Sequence, residues 1–440
     1  MKSEESKNDK KPKGAKERKQ NWKEYTATVE DIRRFLEDRV MLRYNVVTRR
    51  VEGLSPNPSP IREGNSWQPI TDRLVNSLWL ELSEDRKVRA EDIRRVMESD
   101  FVPEYDPFRF YLDSLPPWNG RDDYLLELSV SVLLKGDADE QMLFAKYLKK
   151  WMVGMVAAWV DDTVVNNVIL VLIGEQGSYK TTWFNYLLPP QLRQYFYTKT
   201  NANRMGRDDL LTLAQYGLVC CEELDTMRPS ELNQLKAAVT MPTINERAAY
   251  AHYHENRRHI ASFCGTGNNM QFLSDPTGSR RWLPFEVDSI LSPREHPFNY
   301  EGIYSQAYRL YREGFRYWFT QPEIMQLARH NRQFETPRLE QELVQQYFRK
   351  PGRGEPGEFI SVALALQIVG AGITQKLSTV MLGRAFMEQG FEKKTYRNVR
   401  GYVVVRRSVD EMRVMRQTAA LTDNSDNTNH TDDTDDTDIF

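Results

Sequence analysis

An α/β chain built around a mostly parallel sheet is predicted by three features. The apolar run Val168-Ile-Leu-Val-Leu-Ile173 enters a glycine-bearing loop that ends in Lys180-Thr181 and opens a helix. A second apolar strand, Gly217-Leu-Val-Cys-Cys221, ends in the acidic Glu222-Glu223-Leu-Asp225. Between the first strand and about Val287, strand-like and helix-like stretches alternate, the pattern of a parallel sheet with helices on both faces. The loop has the make-up of a phosphate cradle. Its glycines let backbone N–H groups close on a β-phosphate, the lysine reaches β/γ oxygens, and a hydroxyl can sit on Mg²⁺. Gly174, Glu175, Gln176, Gly177, Ser178, Tyr179, Lys180, Thr181 and Thr182 are therefore the candidate binding residues for a nucleoside triphosphate, ATP with Mg²⁺, with Thr181 as a metal ligand. Tyr179 is a departure, since glycine usually precedes the lysine and a Cβ there restricts the backbone.

The bulk composition bounds the rest. A chain of 440 residues with 40% hydrophobic and 11% aromatic content can bury real cores, and its length suggests about two to four domains. No apolar run approaches the roughly 20 residues of a membrane span, and the lysine-rich start lacks the apolar stretch of a signal peptide, so the expected compartment is the cytoplasm, with no membrane partner. Cys220, Cys221 and Cys264 lie in apolar strand-like segments and read as buried thiols rather than disulfides or zinc ligands. The formal charge of -2 hides unlike ends. Residues 1–21 carry about twice as many basic as acidic groups, and 417–440 form an acidic tail; both are expected to be disordered. Without the acidic tail the body is mildly basic, which permits nucleic-acid contact. The lysine tail reads equally as a solubilising arm or a DNA-touching one.

In chain order, residues 22–115 form a small mixed α/β region. Thr28-Val-Glu-Asp31 has the look of a capping box for a helix through Leu36, and Val40 to Val51 alternates like a strand before the turn-rich Gly53 to Gly64. Glu-Asp-Ile-Arg-Arg occurs at Glu30 and again at Glu91, which suits a solvated helix face better than recognition. Residues 116–320 hold a helical lead-in and the sheet core. Pro116-Pro117-Trp118-Asn119-Gly120 is a sharp break, Tyr124 to Trp159 is apolar at helical spacing, and a further helix is expected from Ile303 to Tyr317. Residues 321–358 read as a helical linker whose last part, Arg349 to Gly357, is rich in Pro and Gly, leading to a final small domain, 359–416.

Chemistry concentrates at strand ends. In a phosphate-loop ATPase one acid at such an end holds Mg²⁺ through water and the next polarises the attacking water; Glu222 is assigned to the metal and Glu223 to the water. The strand Ile260-Ala-Ser-Phe-Cys-Gly-Thr266-Gly-Asn268-Asn269 ends in an amide suited to orient that water, with Asn268 preferred over Asn269. Asp275-Pro-Thr-Gly278-Ser-Arg280-Arg281 is a turn delivering two guanidinium groups, which phosphoryl transfer can use against developing charge. The competing readings are a solvated strand end, a turn amide and a carboxylate-paired structural arginine.

In this order the four segments resemble the virulence-associated protein E-like family, whose ATPase core is similar to superfamily 3 helicases within the AAA+ class. The likeness covers roughly Asp106 to Phe319 and includes Tyr111-Leu112, Leu115-Pro-Pro-Trp118-Asn-Gly120, Gly174-Glu-Gln-Gly177 with Lys180-Thr181, Glu223-Leu-Asp225, Gly265-Thr-Gly-Asn268 and Asp275-Pro-Thr-Gly278-Ser-Arg280-Arg281. It departs at Tyr179, where glycine is usual, and at Asn119, where Asp is usual. The resemblance implies an AAA+-like parallel core and a replication motor of phages and mobile elements. Such proteins are often fused to a primase. The only internal Asp-x-Asp here, Asp137-Ala-Asp139, has no supporting histidine, so a primase is expected as a separate partner.

By the same resemblance, Lys236 to His259, with Lys236, Arg247, Tyr250, Tyr253, Arg257 and Arg258, would line a central channel for single-stranded DNA through phosphate contacts and base stacking; an ordinary hairpin is the alternative. The final domain has helices at Ser361 to Val369 and Leu377 to Gln389 and then an alternating hairpin, an order that resembles a winged helix. Arg384, Lys393, Lys394, Arg397 and Arg400 could meet duplex DNA. The expected protein is an ATP- and Mg²⁺-dependent DNA helicase that forms a homo-oligomeric ring, with a hexamer as the candidate, catalysing through Lys180, Glu223, Asn268, Arg280 and Arg281. Its rivals are a nucleotide-gated switch without unwinding and a non-catalytic DNA-binding accessory.

Overall fold

The computed structural model describes residues 25–54, 67–199, 207–246, 255–273, 276–336, 339–371, 373–374 and 377–413. Both charged tails, Arg247, Tyr250, Tyr253 and Asp275 lie outside them. The chain is mixed α/β and divides into two units, Met1–Gln333 and Phe334–Phe440. The division falls inside the stretch read as a linker.

The first unit opens on helix α1 (Val29–Arg39), closed by a reciprocal cap in which Asp31 N–H donates to Thr28 Oγ1 (3.2 Å) and Thr28 N–H to Asp31 Oδ2 (2.9 Å), worth about 1 kcal/mol. The single strand expected at 40–51 is instead a hairpin, β1 (Met41–Asn45) and β2 (Arg50–Leu54). Asn45 makes the turn: its Oδ1 accepts from Val47 N–H (3.0 Å) and Thr48 N–H (3.1 Å), an Asx turn that sequence alternation alone does not reveal. Its Nδ2 donates to Tyr195 Oη (2.7 Å), pinning the hairpin to the main core. Strand β3 (Gln68–Pro69), helices α2 (Asp72–Asp85) and α3 (Ala90–Met97) and strand β4 (Glu104–Tyr105) complete the region. Both Glu-Asp-Ile-Arg-Arg copies are helical, and Arg34, Arg94 and Arg95 pair with Glu30, Asp72 and Glu91 on the surface.

Helix α4 (Pro107–Asp113) leads to the Pro-Pro-Trp break. There Asn119 Oδ1 accepts from the N–H groups of Arg121 (2.9 Å) and Asp122 (3.2 Å), so the amide does the turn-making work a carboxylate would do. The helical lead-in is interrupted: α5 (Tyr124–Val130) and α6 (Ala138–Val160) flank a short strand, β5 (Val132–Leu134). β5 runs antiparallel to β12 (Trp282–Ile290), and Gly136 at φ 130° lets the chain leave it. A short apolar run of this length fits a buried strand or a helix, and the partner strand decides.

Five further strands complete a six-stranded sheet in the order β5-β12-β6-β11-β8-β7. They are β6 (Ile169–Ile173), β7 (Phe196–Lys199), β8 (Leu218–Cys221), β11 (Ser262–Gly267) and β12, all mutually parallel. Helices α7 (Lys180–Leu187), α8 (Arg207–Gln215) and α9 (Pro229–Val239), the ribbon β9 (Thr243–Glu246) with β10 (Glu255–Arg258), and helices α10 (Tyr300–Arg312) and α11 (Gln321–His330) surround it. Helix α10 stops before the expected Tyr317 because Gly314 takes φ 80°. Helix α6 is apolar on most of its faces and correspondingly buried. Its tryptophans reach across to backbone carbonyls, Trp151 Nε1 to Phe263 O (3.1 Å) and Trp159 Nε1 to Gly217 O (3.2 Å). Cys220, Cys221 and Cys264 are buried free thiols in β8 and β11.

In the second unit, α12 (Leu339–Tyr347), β13 (Phe348–Arg349), β14 (Glu358–Ser361), α13 (Val362–Val369), α14 (Thr379–Glu388), β15 (Glu392–Tyr396) and β16 (Val399–Arg406) share one core that includes Leu343, Phe348, Ile360, Phe386 and Val404. Strand β16 pairs antiparallel with β13, β14 and β15. The 349–357 stretch is thus tied down within this unit, where Arg349 also grips Glu355 through two nitrogens (2.6 and 2.7 Å). Among the described residues no helix is long and apolar enough to cross a membrane.

Candidate functional site

Pairing register brings three strand ends together. Ile173 of β6 lies opposite Gly267 of β11, and Cys221 of β8 opposite Gly265, so all three chains emerge at the carboxyl edge of the sheet, where open α/β sheets bind ligands. Residues from all three emerging segments line a cleft of about 420 Å³: Gln176 through Thr182, Glu222, Glu223, Thr266, Gly267 and Asn268. That volume is within the range of small-molecule sites.

The loop from 174 to 179 is shaped by backbone demands. A Cβ on Gly174 would stand 3.0 Å from Val287 O, and Gly174 N–H donates to Gly267 O (3.1 Å). Gly177 takes φ 88° in open space, so conformation rather than crowding calls for glycine there. Tyr179 is left-handed at φ 60°, ψ 13°, where an L-residue costs roughly 1–2 kcal/mol. The residue is 48% exposed, so burial does not offset the strain. If the cleft turns over a nucleotide, replacing Tyr179 by glycine is expected to speed it, by up to about fivefold if the loop strain at Tyr179 rises by about 1 kcal/mol on the way to the transition state. Tyr179→Ala keeps the Cβ and is expected to leave turnover unchanged in steady-state assays; equal gains in both would place the effect on the ring.

Lys180 opens α7 and is buried, and its ammonium donates to Gly174 O (2.8 Å), Glu175 O (2.6 Å) and Ser178 Oγ (3.1 Å). The cation is thus centred within the loop. Burial holds its pKa below that of an ordinary lysine, while the charges of Asp225 and Glu175 draw it back up. Thr181 Oγ1 donates to Glu222 Oε1 (2.8 Å), so a hydroxyl and a carboxylate oxygen converge at the cleft floor. Such a pair fits magnesium, which takes one or two protein oxygens and keeps several waters. Glu223 is exposed and left-handed at φ 54°, a second strained position on the same cleft.

Asp225 is the residue the sequence reading misses as a functional group. Its Oδ1 accepts from Asn268 N–H (3.3 Å) and its Oδ2 from Asn269 N–H (3.2 Å), which ties the turn after β8 to the turn after β11. A Cβ on Gly267 would lie 3.0 Å from the same carboxylate. Asn268 lines the cleft, whereas Asn269 is not among the lining residues. The signal available in the sequence was only the spacing of Asp225 two residues beyond Glu223.

Arg280 and Arg281 lie elsewhere. Trp282, the next residue, registers with Ile169 at the start of β6, so the pair stands at the amino edge of the sheet, a five-residue strand or about 16 Å from the loop. Both border a separate cavity of about 210 Å³ with Trp318 and Phe319. Burial, and then the charge of Arg280, lower the pKa of Arg281, which still leaves a guanidinium charged at neutral pH.

Of the expected strand-contacting residues in 236–259, Lys236, Arg257 and Arg258 lie among the described residues. Arg258, expected as a nucleic-acid contact, donates through its guanidinium to Ala158 O (3.3 Å) and Trp159 O (3.2 Å) and pairs with Asp162 (2.9 Å), clamping the base of the β9–β10 ribbon to the end of α6. Lys236 and Arg257 are buried. Among the described positions in the second unit, Lys393, Lys394, Arg397 and Arg400 are exposed on the β15–β16 hairpin, and Arg384 is half-buried on α14.

The fold and this site define the class as an α/β protein whose carboxyl-edge cleft gathers a lysine, a hydroxyl and paired carboxylates. The sequence pattern of the virulence-associated protein E-like domain matches residues 114–336, just over half of the chain. The chain belongs to that family. The matched span runs past Phe319 and takes in α11. Among solved structures the chain is similar to the apo C-terminal region of NrS-1, at 12% identity over 86% of this chain and 98% of that chain, with a TM-score of 0.47. The A form of the same region gives 14%, 85%, 98% and 0.45. No curated protein matches the chain.

Proposed function

We propose that the chain is an ATP- and magnesium-dependent DNA motor of the superfamily 3 type, with an AAA+ core, acting in replication of a phage or other mobile element. The observation that carries this reading is the meeting of Lys180, Thr181, Glu222, Glu223 and Asn268 on one cleft. Lys180 would move its three donors from loop oxygens to the β/γ phosphates. Thr181 and Glu222 would hold magnesium, which when bound offsets phosphate charge. Glu223, exposed beside them, would polarise the attacking water, and Asn268, held by Asp225, would orient it.

Arg280 and Arg281 cannot serve the cleft of their own chain from the far edge of the sheet. A neighbouring copy would present them, which requires head-to-tail contacts and so favours a closed ring. The second unit supplies a winged-helix reading: α13, α14 and a hairpin whose tip, Arg397-Asn398, is left-handed at both residues, as a tight two-residue turn requires. Lys393, Lys394, Arg397 and Arg400 on that hairpin, with Arg384, would meet duplex phosphates. Family membership supports the replication setting, and a separate primase remains the partner we propose.

The direct test is ATP hydrolysis with and without single-stranded DNA. Stimulation by DNA is the expected result. DNA-indifferent turnover would favour a nucleotide-gated switch, and binding without turnover a DNA-binding accessory.

A further inference from the structure

We infer that Asn331 positions the arginine pair, by clasping the turn from which Arg280 and Arg281 project. Asn331 follows α11 and is fully buried, a place where an amide is retained only if it is hydrogen-bonded. Its Nδ2 donates to Ser279 O (2.7 Å) and to Trp282 O (3.0 Å). These two carbonyls flank the arginines directly, one before Arg280 and one after Arg281. A single side chain therefore fixes the backbone on both sides of the pair.

The clasp has its own support. Asn331 Oδ1 lies 3.3 Å from His330 Nδ1, which turns the amide nitrogen toward the carbonyls, and His330 Nε2 lies 2.7 Å from Glu140 Oε1 on α6. At the other end of α11, Glu323 caps the helix through Thr320 and pairs with Lys146 (3.2 Å) and Lys150 (3.4 Å), also on α6. Lys150 in turn donates to Arg316 O (2.8 Å) and Trp318 O (3.1 Å). Helix α11 is thus fastened at both ends to the deeply buried α6, and its far end carries Asn331. The turn needs such a holder because it carries two adjacent guanidinium groups, which repel; burial, and then the charge of Arg280, hold the pKa of Arg281 below that of an ordinary arginine.

The proposal rests on the reading that these arginines act on a neighbour's nucleotide, and its test separates the two. A misplacement of about 1 Å in a positioned group can cost about a hundredfold in rate, so Asn331→Ala is expected to lower kcat by about tenfold to a hundredfold while nucleotide affinity stays the same. Asn331→Asp keeps the shape but sets an oxygen against both carbonyls, and the same loss is expected. Because an Asn331→Ala subunit keeps an intact cleft, mixing it with Glu223→Gln subunits should restore turnover, as Arg281→Ala should. Unchanged kcat in both Asn331 variants, where Arg281→Ala is impaired, would overturn the clasp. So would lost nucleotide binding, failed complementation or unfolding in both variants, since each marks general support of the fold. If Arg281→Ala itself turns over ATP normally, it is the arginine reading that falls.

Discussion

Lys180→Ala is expected to lose at least about a hundredfold in nucleotide turnover, the scale on which removing one preorganised donor to developing charge acts. The buried ammonium is held by Gly174 O, Glu175 O and Ser178 Oγ at 2.6–3.1 Å, so the charge is already at the centre of the loop before any ligand arrives. Those partners are neutral oxygens, and exchanging them for phosphate oxygens strengthens each contact. Burial lowers the lysine's pKa, and an incoming polyphosphate raises it again, so ligand binding keeps the cation charged. Alanine leaves the loop glycines and Thr181 in place, and the backbone cradle with them. Calorimetry should therefore show weakened but measurable uptake of ATP, alongside the collapse in hydrolysis. Turnover equal to the wild type would mean that this cleft is not where the chemistry happens.

Mixing Arg281→Ala with Glu223→Gln subunits is expected to recover activity that neither variant has alone. An arginine at the transferring phosphate is worth about a thousandfold or more in rate, and Glu223→Gln removes the group that polarises water, so each homogeneous assembly should be nearly silent. In a mixed ring a cleft from an Arg281→Ala subunit can face the arginine of a Glu223→Gln neighbour. At equal proportions about a quarter of interfaces meet both conditions, which sets the expected ceiling for independent sites near that fraction of wild-type turnover. The geometric ground is that Trp282 registers with Ile169, at the opposite end of β6 from the loop. No recovery at any ratio would show that each subunit works alone, and would leave Arg280 and Arg281 as structural cations beside Trp318 and Phe319.

The local features of this site were legible because each is written within a few residues. A glycine that must adopt φ 88°, a lysine at a helix start and acids after an apolar strand are signals a single segment carries. The cost of Tyr179 was also foreseeable, since the position before the lysine asks for a left-handed residue. Less was legible where partners are distant. Nothing in Val132–Leu134 distinguishes it from the helices around it until β12 runs beside it. Arg258 carries the charge of a phosphate contact, yet helix α6 ends where its guanidinium can bond carbonyls. Asp225 and Asn331 reach across the fold to backbone groups, and a hydrogen bond between residues remote in the chain leaves no periodicity to read.

By itself the sequence determined that this is an α/β chain with a glycine-bearing loop, an acidic strand end and a basic hairpin, because hydrophobic period and turn residues act over short spans. Only the tertiary structure decided which of these share a cleft. Strand order and register place residues 174–182, 222–223 and 268 on one edge of the sheet and Arg280 and Arg281 on the other. That choice belongs to the packing of whole strands against α6 and against one another, through contacts between residues far apart in the chain.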